Sequence, residues 1–183
     1  MELISQDMVI PNDKMKGVHI MTREEELRLH RCCFTGHRPE KLSNSEQCIK
    51  KELEAAIHQA IYDGFVTFIS GMARGVDIWA AEIVLRLKKE GYPIHLICAV
   101  PFRGFENNWE HEWKVRYRDI MANTDLIRCI SPSYHRRCFQ DRNEWMCNRA
   151  SRLIAVYNGS SGGTRNTINY ALSIGIEVVK IQS

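Results

Sequence analysis

The chain has 183 residues, 44% apolar and 26% charged, with a net charge of +3 at pH 7. That length suits one domain with a full core, and so small a net charge does not by itself argue for a polyanionic partner. No apolar run reaches the ~18 residues of a membrane span. Residues 1–16 are polar and lack the apolar centre of a signal peptide, so a cytoplasmic protein is expected, with no membrane partner. The seven cysteines are odd in number and form no CxxC pair, which predicts reduced thiols rather than a disulfide framework. His135, Cys138 and Cys147 match no common zinc spacing, and neither a metal nor a cofactor is expected.

In chain order, residues 1–30 form an N-terminal extension, with a turn at Pro11-Asn12-Asp13 and a short charged helix over Arg23 to Arg31. Residues 31–183 form the domain proper. A strand over Arg31 to Phe34 ends in Thr35-Gly36-His37-Arg38-Pro39. A helix runs from about Ser45 to Asp63, capped by Ser43 or Asn44, with Leu53, Ala56, Ile57, Ala60 and Ile61 on one face. The second strand is Phe65 to Ile69, followed by Ser70-Gly71-Met72-Ala73-Arg74-Gly75-Val76-Asp77 and a helix to Glu90. The third strand, Ile94 to Val100, is apolar apart from His95, as a buried parallel strand must be. Pro101-Phe102 ends it and a helix follows from about Asn108 to Ala122. Then come a strand (Leu126 to Ile130), a helix (Phe139 to Ala150), a strand (Arg152 to Tyr157), a glycine-rich loop, a helix (Thr164 to Ile174) and a last strand (Val178 to Ile181). This alternation predicts an α/β fold: a Rossmann-like, doubly wound, mostly parallel sheet of about six strands with helices on both faces.

In such sheets ligands bind beyond the carboxyl ends of the strands, and the informative loops all lie there. In the first, Thr35 offers a hydroxyl, Gly36 permits close backbone approach, Arg38 can clamp a phosphate, and His37 is a candidate proton donor. In the second, Ser70 and Gly71 can face an anion at a helix N-terminus, Arg74 adds a cation, and Asp77 is either a dipole partner or a ligand contact. Trp79, within Ile78-Trp79-Ala80-Ala81, reads as core. The loop Ser160 to Thr167, with Gly162, Gly163, Thr164 and Thr167, has the composition of a phosphate cradle without the Gly-Lys-Ser/Thr of a Walker loop; the alternative is a flexible loop with Thr164 as N-cap. Arg142 and Asn143 open a helix, where a cation opposes the dipole and implies an anionic ligand as compensation. Pro101, Phe102 and Asn107-Asn108-Trp109 form an aromatic rim for a base or ribose. Arg136, Arg137, Arg142, Arg149 and Arg152 form a candidate basic patch.

Thr35-Gly36-His37-Arg38-Pro39, the Ser70-to-Asp77 motif, Trp79-Ala80-Ala81-Glu82, Val100-Pro101-Phe102 and Asn108-Trp109 together resemble the YpsA/YoqJ-like proteins of the SLOG superfamily, from about Cys32 onward. The superfamily also contains DprA and the Lonely Guy phosphoribohydrolases. The resemblance implies a Rossmann-like fold, a nucleotide-like ligand and a homodimer. Set against the Lonely Guy pattern, Arg142-Asn143 stands in place of an Arg-Lys pair and Thr167 in place of the catalytic Glu, which a hydroxyl cannot replace in stabilising an oxocarbenium-like transition state. The expected function is therefore binding of a nucleotide or an ADP-ribose- or NAD-like derivative, to sense or sequester it, with Arg38, Arg74 and Arg142 as counter-charges. One alternative is hydrolysis of an N-glycosidic or phosphate bond with Glu82 or Asp77 as acid/base and His37 assisting. Another is single-stranded nucleic-acid binding as in DprA.

Overall fold

Apolar runs that end in turns and feed helix-period segments can bury both faces only in a parallel sheet covered on each side. The computed structural model describes residues 21–183. The polar N-terminal stretch and the turn expected at Pro11-Asn12-Asp13 lie outside those residues. In chain order the described elements are α1 (Arg23–Leu29), β1 (Arg31–Gly36), a 3-10 turn (Pro39–Lys41), α2 (Glu46–Tyr62), β2 (Thr67–Ser70), α3 (Val76–Lys89), β3 (His95–Val100), α4 (His111–Asn123), β4 (Leu126–Cys129), α5 (Cys138–Asn148), β5 (Arg152–Tyr157), α6 (Gly163–Ser173) and β6 (Glu177–Gln182). The six strands form one sheet in the order β4-β3-β2-β1-β5-β6, and every pairing is parallel. The chain steps outward from β1 to β4, then returns to lay β5 and β6 on the other side of β1. The switch point therefore falls between β1 and β5, where the Rossmann rule puts a ligand.

Side chains alternate between two cores, as the strand period demands. Cys32, Phe34, Phe68, Leu96, Cys98, Ile154 and Val156 pack with α2, α3 and α4. Their neighbours Cys33, Ile69, Ile97, Ala99, Leu153 and Ala155 pack with α5 and α6. Trp79 is buried in the first core, tilted against Trp113 at 6.3 Å between centroids, which confirms its reading as core. No helix among the described residues is long and apolar enough to cross a membrane.

Several boundaries differ from expectation for local reasons. The cap of α2 is Ser45, whose hydroxyl accepts from the Cys48 amide at 3.3 Å, not Ser43 or Asn44. Phe65 is not in a strand: its amide closes the end of α2 on Ala60 O at 3.0 Å, and its ring lies under the Arg152 guanidinium at 4.5 Å. Strand β1 runs on to Gly36 because Thr35 and Gly36 pair with Ala155 and Val156. Helix α4 starts at His111, since residues 104–109 are spent in turns closed by Asn107 N on Gly104 O and Trp109 N on Glu106 O.

Gly36 brings β1 against the first residue of α3. A Cβ there would lie 2.5 Å from Val76 Cβ. Gly36→Ala is therefore expected to destabilise the fold by ~1–3 kcal/mol, the usual effect of overpacking. Adding Val76→Ala should recover most of that loss in urea unfolding. A neutral single variant would show that the contact is slack.

Candidate functional site

The loops after β1, β2 and β5 converge at the switch point on a cleft of about 320 Å³. The first loop lines it with Thr35, Gly36, His37, Arg38, Glu40 and Lys41, and the second with Ala73 and Asp77. The start of α6 contributes Gly162, Gly163 and Thr164, while α5 contributes Phe139, Arg142 and Asn143. A second compartment of about 210 Å³ adjoins it, sharing Arg38, Ala73 and Phe139 and adding Arg74, Phe105, Asn108, Trp109 and Glu110. The three loops singled out in the sequence are thus neighbours in space, across the edge of one sheet.

The floor of the cleft is an ion pair. Arg142 and Asp77 are only 5% and 6% exposed. The Arg142 Nη1 lies 3.3 Å from Asp77 Oδ2 and also donates to the Gly71 carbonyl. Asp77 Oδ2 additionally accepts from the Ala73 amide at 3.2 Å. Burial pushes the Asp77 pKa up, opposed by the Arg142 charge, and pushes the Arg142 pKa down, opposed by Asp77. The compensation expected for Arg142 from an anionic ligand is thus supplied internally by a carboxylate. The pair is not saturated: Asp77 Oδ1 and Arg142 Nε are buried without a hydrogen-bond partner among the described residues. Gly71 is required by this arrangement, because a Cβ there would sit 2.7 Å from Arg142 Cζ.

Ser70 does not face the cleft. Its fully buried hydroxyl donates to Asp77 O at 2.8 Å and accepts from the Met72 amide at 3.1 Å. These bonds hold Met72 at φ 61, a left-handed conformation uncommon for a non-glycine residue. Thr167, also buried, donates to Gly163 O at 2.8 Å and shapes the loop rather than lining the cleft. The cap of α6 is Gly162, not Thr164, which leaves the Thr164 hydroxyl 3.4 Å from His37 Nδ1. His37 stacks on Tyr157 at 5.5 Å, with Nε2 3.4 Å from Ser160 Oγ. Burial and then the Lys41 charge hold its pKa below the ordinary value, against a hydrogen bond to Asn158 that favours the protonated ring.

The expected counter-charges have different fates. Arg74 is bound to Glu110 at 2.7 Å and lies 3.7 Å from Glu40. Arg38 lines both compartments and makes no ion pair among the described residues. Glu82 is not brought to the cleft: on the far side of α3, it binds Arg116 at 2.5 Å and Lys50 at 2.9 Å. Pro101 and Phe102 line neither compartment. Phe102 instead braces the aromatic wall edge-on, 6.1 Å from Phe105 and 6.0 Å from Phe139. The candidate basic patch is dispersed. Arg152 binds Asp63 and Glu177 at the opposite end of β5, Arg149 lies over Trp145, and Arg137 reaches Asp141. Phe105 and Glu110 carry no motif in the sequence; only their place beside Arg74 in the lining of the second compartment marks them.

Two outcomes follow from this geometry. Arg142→Met leaves Asp77 as an uncompensated buried charge and should cost ~3–5 kcal/mol in chemical unfolding, whereas the double variant with Asp77→Asn should be markedly less destabilised. Equal losses in both would show that the two residues are not coupled. For His37, whose pKa is lowered in the fold, the unfolded chain binds the proton more readily. The stability it contributes is complete above about pH 6.5 and declines as the pH falls below that. Replacing it in His37→Asn should flatten the fall in stability between about pH 6.5 and pH 5, read from urea midpoints.

A family model, YpsA (YspA SLOG family), matches residues 32–173. A UPF0398 protein of Shouchella clausii is 29% identical over 150 residues, spanning 77% of this chain and 80% of its own. YoqJ, an uncharacterised SPbeta prophage-derived protein of Bacillus subtilis, is 32% identical over 136 residues (67% and 80% of the two chains). A UPF0398 protein of Macrococcus caseolyticus is 35% identical over 133 residues (68% and 72%). Among solved structures, DNA processing protein A (DprA) of Streptococcus pneumoniae superposes with a TM-score of 0.62 at 19% identity, covering 86% of this chain. The chain spans about half of that protein, 52% of its length. DprA of Helicobacter pylori gives 0.60 at 18% identity, covering 87% of this chain and 68% of its own. At such identities the likeness is one of fold. With most of its length matched by the family model and relatives above 30% identity, the chain belongs to the YpsA family of SLOG proteins.

Proposed function

We propose that the chain binds a nucleotide or nucleotide derivative in the switch-point cleft, with the role of sensing or sequestering it. One observation carries this reading: a polar cleft whose floor is a buried, incompletely bonded Asp77–Arg142 pair opens beside the N-terminus of α6 and beneath Arg38, which makes no ion pair among the described residues. The free amides at Gly163 and Thr164 and the helix dipole suit a phosphate, and Arg38 and Lys41 supply charge around it. A ligand hydroxyl has the one donor and one acceptor that Asp77 Oδ1 and Arg142 Nε lack, as a sugar would offer. Membership of a SLOG family supports the same ligand class. Of the candidate carboxylates, Glu82 lies outside this site and Asp77 is tied to Arg142, which favours binding over cleavage. A cytoplasmic setting, in which the seven free thiols stay reduced, completes the proposal.

A second reading draws on the H. pylori DprA structure, whose title concerns its single-stranded DNA binding mode. The pairing of Arg137, Arg149 and Arg152 with carboxylates or a ring leaves this reading less support here.

Calorimetry with a panel of nucleoside mono- and diphosphates, ADP-ribose and NAD, alongside a short oligothymidylate, separates the two. A small molecule should bind, and Arg38→Ala should weaken it ~10-fold or more, the value of one charge-assisted contact. Binding confined to the oligothymidylate, with an affinity falling steeply in salt, would favour the second reading. No response from a folded chain would overturn both.

A further inference from the structure

The compartment beside the cleft has a composition of its own. Phe105, Trp109 and Phe139 wall it, and the rings are fixed in place: Phe105 meets Trp109 edge-on at 5.1 Å, while Phe102 braces Phe105 and Phe139 from behind. Its polar side is the Arg74–Glu110 pair. Arg74 Nη1 binds Glu110 Oε2 at 2.7 Å, so Glu110 keeps Oε1 as an acceptor and the guanidinium keeps further donors. The hydrogen bonds it accepts, first from its own backbone amide and then from Arg74, hold the Glu110 pKa below the ordinary carboxylate value, so it is a charged acceptor at neutral pH. The compartment opens onto the cleft through Arg38, which lines both.

Resting on the reading of the cleft as a nucleotide site, we propose that this compartment seats the base and selects guanine. The aromatic walls supply faces on which any base can stack. The choice among bases falls to the paired Arg74 donors and Glu110 acceptor at the end. Guanine presents acceptors at O6 and N7 to a guanidinium, and the N1–H and N2–H donors to a carboxylate. Adenine presents a bare N1 lone pair where guanine has a proton, and an amino group where guanine has O6, so it meets a carboxylate with a repulsive edge and an arginine with a donor. The Asn108 amide can turn either way and does not discriminate. The phosphate then lies toward Arg38 and the start of α6, which gives the ligand a direction: base at α4, phosphate at α6.

The test is calorimetry of the full chain with guanosine 5′-monophosphate and adenosine 5′-monophosphate under one buffer condition. The guanosine ligand should bind ~10-fold or more tightly, as expected for a bidentate contact made to one base and denied to the other. Glu110→Gln, with its fold checked by thermal unfolding, should bring that ratio close to one. Trp109→Ala should weaken both ligands ~10-fold or more through lost stacking. Equal binding of the two nucleotides, tighter binding of the adenosine ligand, or full affinity in Trp109→Ala would overturn the assignment of the base while leaving a nucleotide site in place. If a folded chain binds neither, the nucleotide reading itself fails.

Discussion

The site depends on one buried interaction, the Asp77–Arg142 pair. Asp77 sits in the first turn of α3, in the layer that covers one face of the sheet. Arg142 comes from α5, in the layer that covers the other. The two meet beyond the end of β2, over Gly71, and so tie the two layers together across the sheet edge. A buried pair of this kind is not a strong source of net stability, because desolvation opposes the Coulomb attraction. It does allow only one relative placement of the β2 loop and α5 without stranding a charge. The geometry of the cleft follows from that placement.

The remaining charges are distributed by the same logic. Once Arg142 is committed to Asp77, and Arg74 to Glu110 and Glu40, Arg38 is left as the cation facing both compartments without a carboxylate partner among the described residues. Lys41 adds positive charge at the rim and reinforces burial, the larger cause, in making His37 hold its proton weakly. Carboxylates away from the cleft are engaged too. Glu82 is enclosed by Arg116 and Lys50 between helices α2, α3 and α4, where its ion pairs join the helices of that layer. The cleft is thereby left with a glycine-rich helix start on one side and an aromatic wall on the other.

Much of this was legible in the residues alone. The loops at 35–39, 70–77 and 160–167 announce themselves through turn chemistry, and the apolar runs that precede them identify strand ends. Trp79 could be read as core because the residues around it are apolar. What could not be read was which polar groups would find one another. The Ser70 and Thr167 hydroxyls look like ligand donors by type, yet both are spent on carbonyls of their own loops. Glu82 looks like an available acid until α2 and α4 bring Lys50 and Arg116 to it. Phe105 and Glu110 belong to an irregular segment with no periodicity, so nothing local marks them.

The sequence by itself determined the architecture, because hydrophobic period and turn residues act over a few neighbours and leave few ways to bury both faces of such strands. It also determined that the glycine-bearing loops would crowd one edge, since parallel strands all end on the same side. The tertiary structure alone decided the side-chain partners of Asp77, Glu82, Arg74 and Arg142, which lie 32 to 65 positions from them in the chain. Pairing of charges is a matter of distance and burial rather than residue type, and neither is set until the helices have packed. The Ser70-to-Asp77 loop shows both sides: its backbone course is written in its glycines, and the charge it presents is settled by an arginine from the opposite face of the sheet.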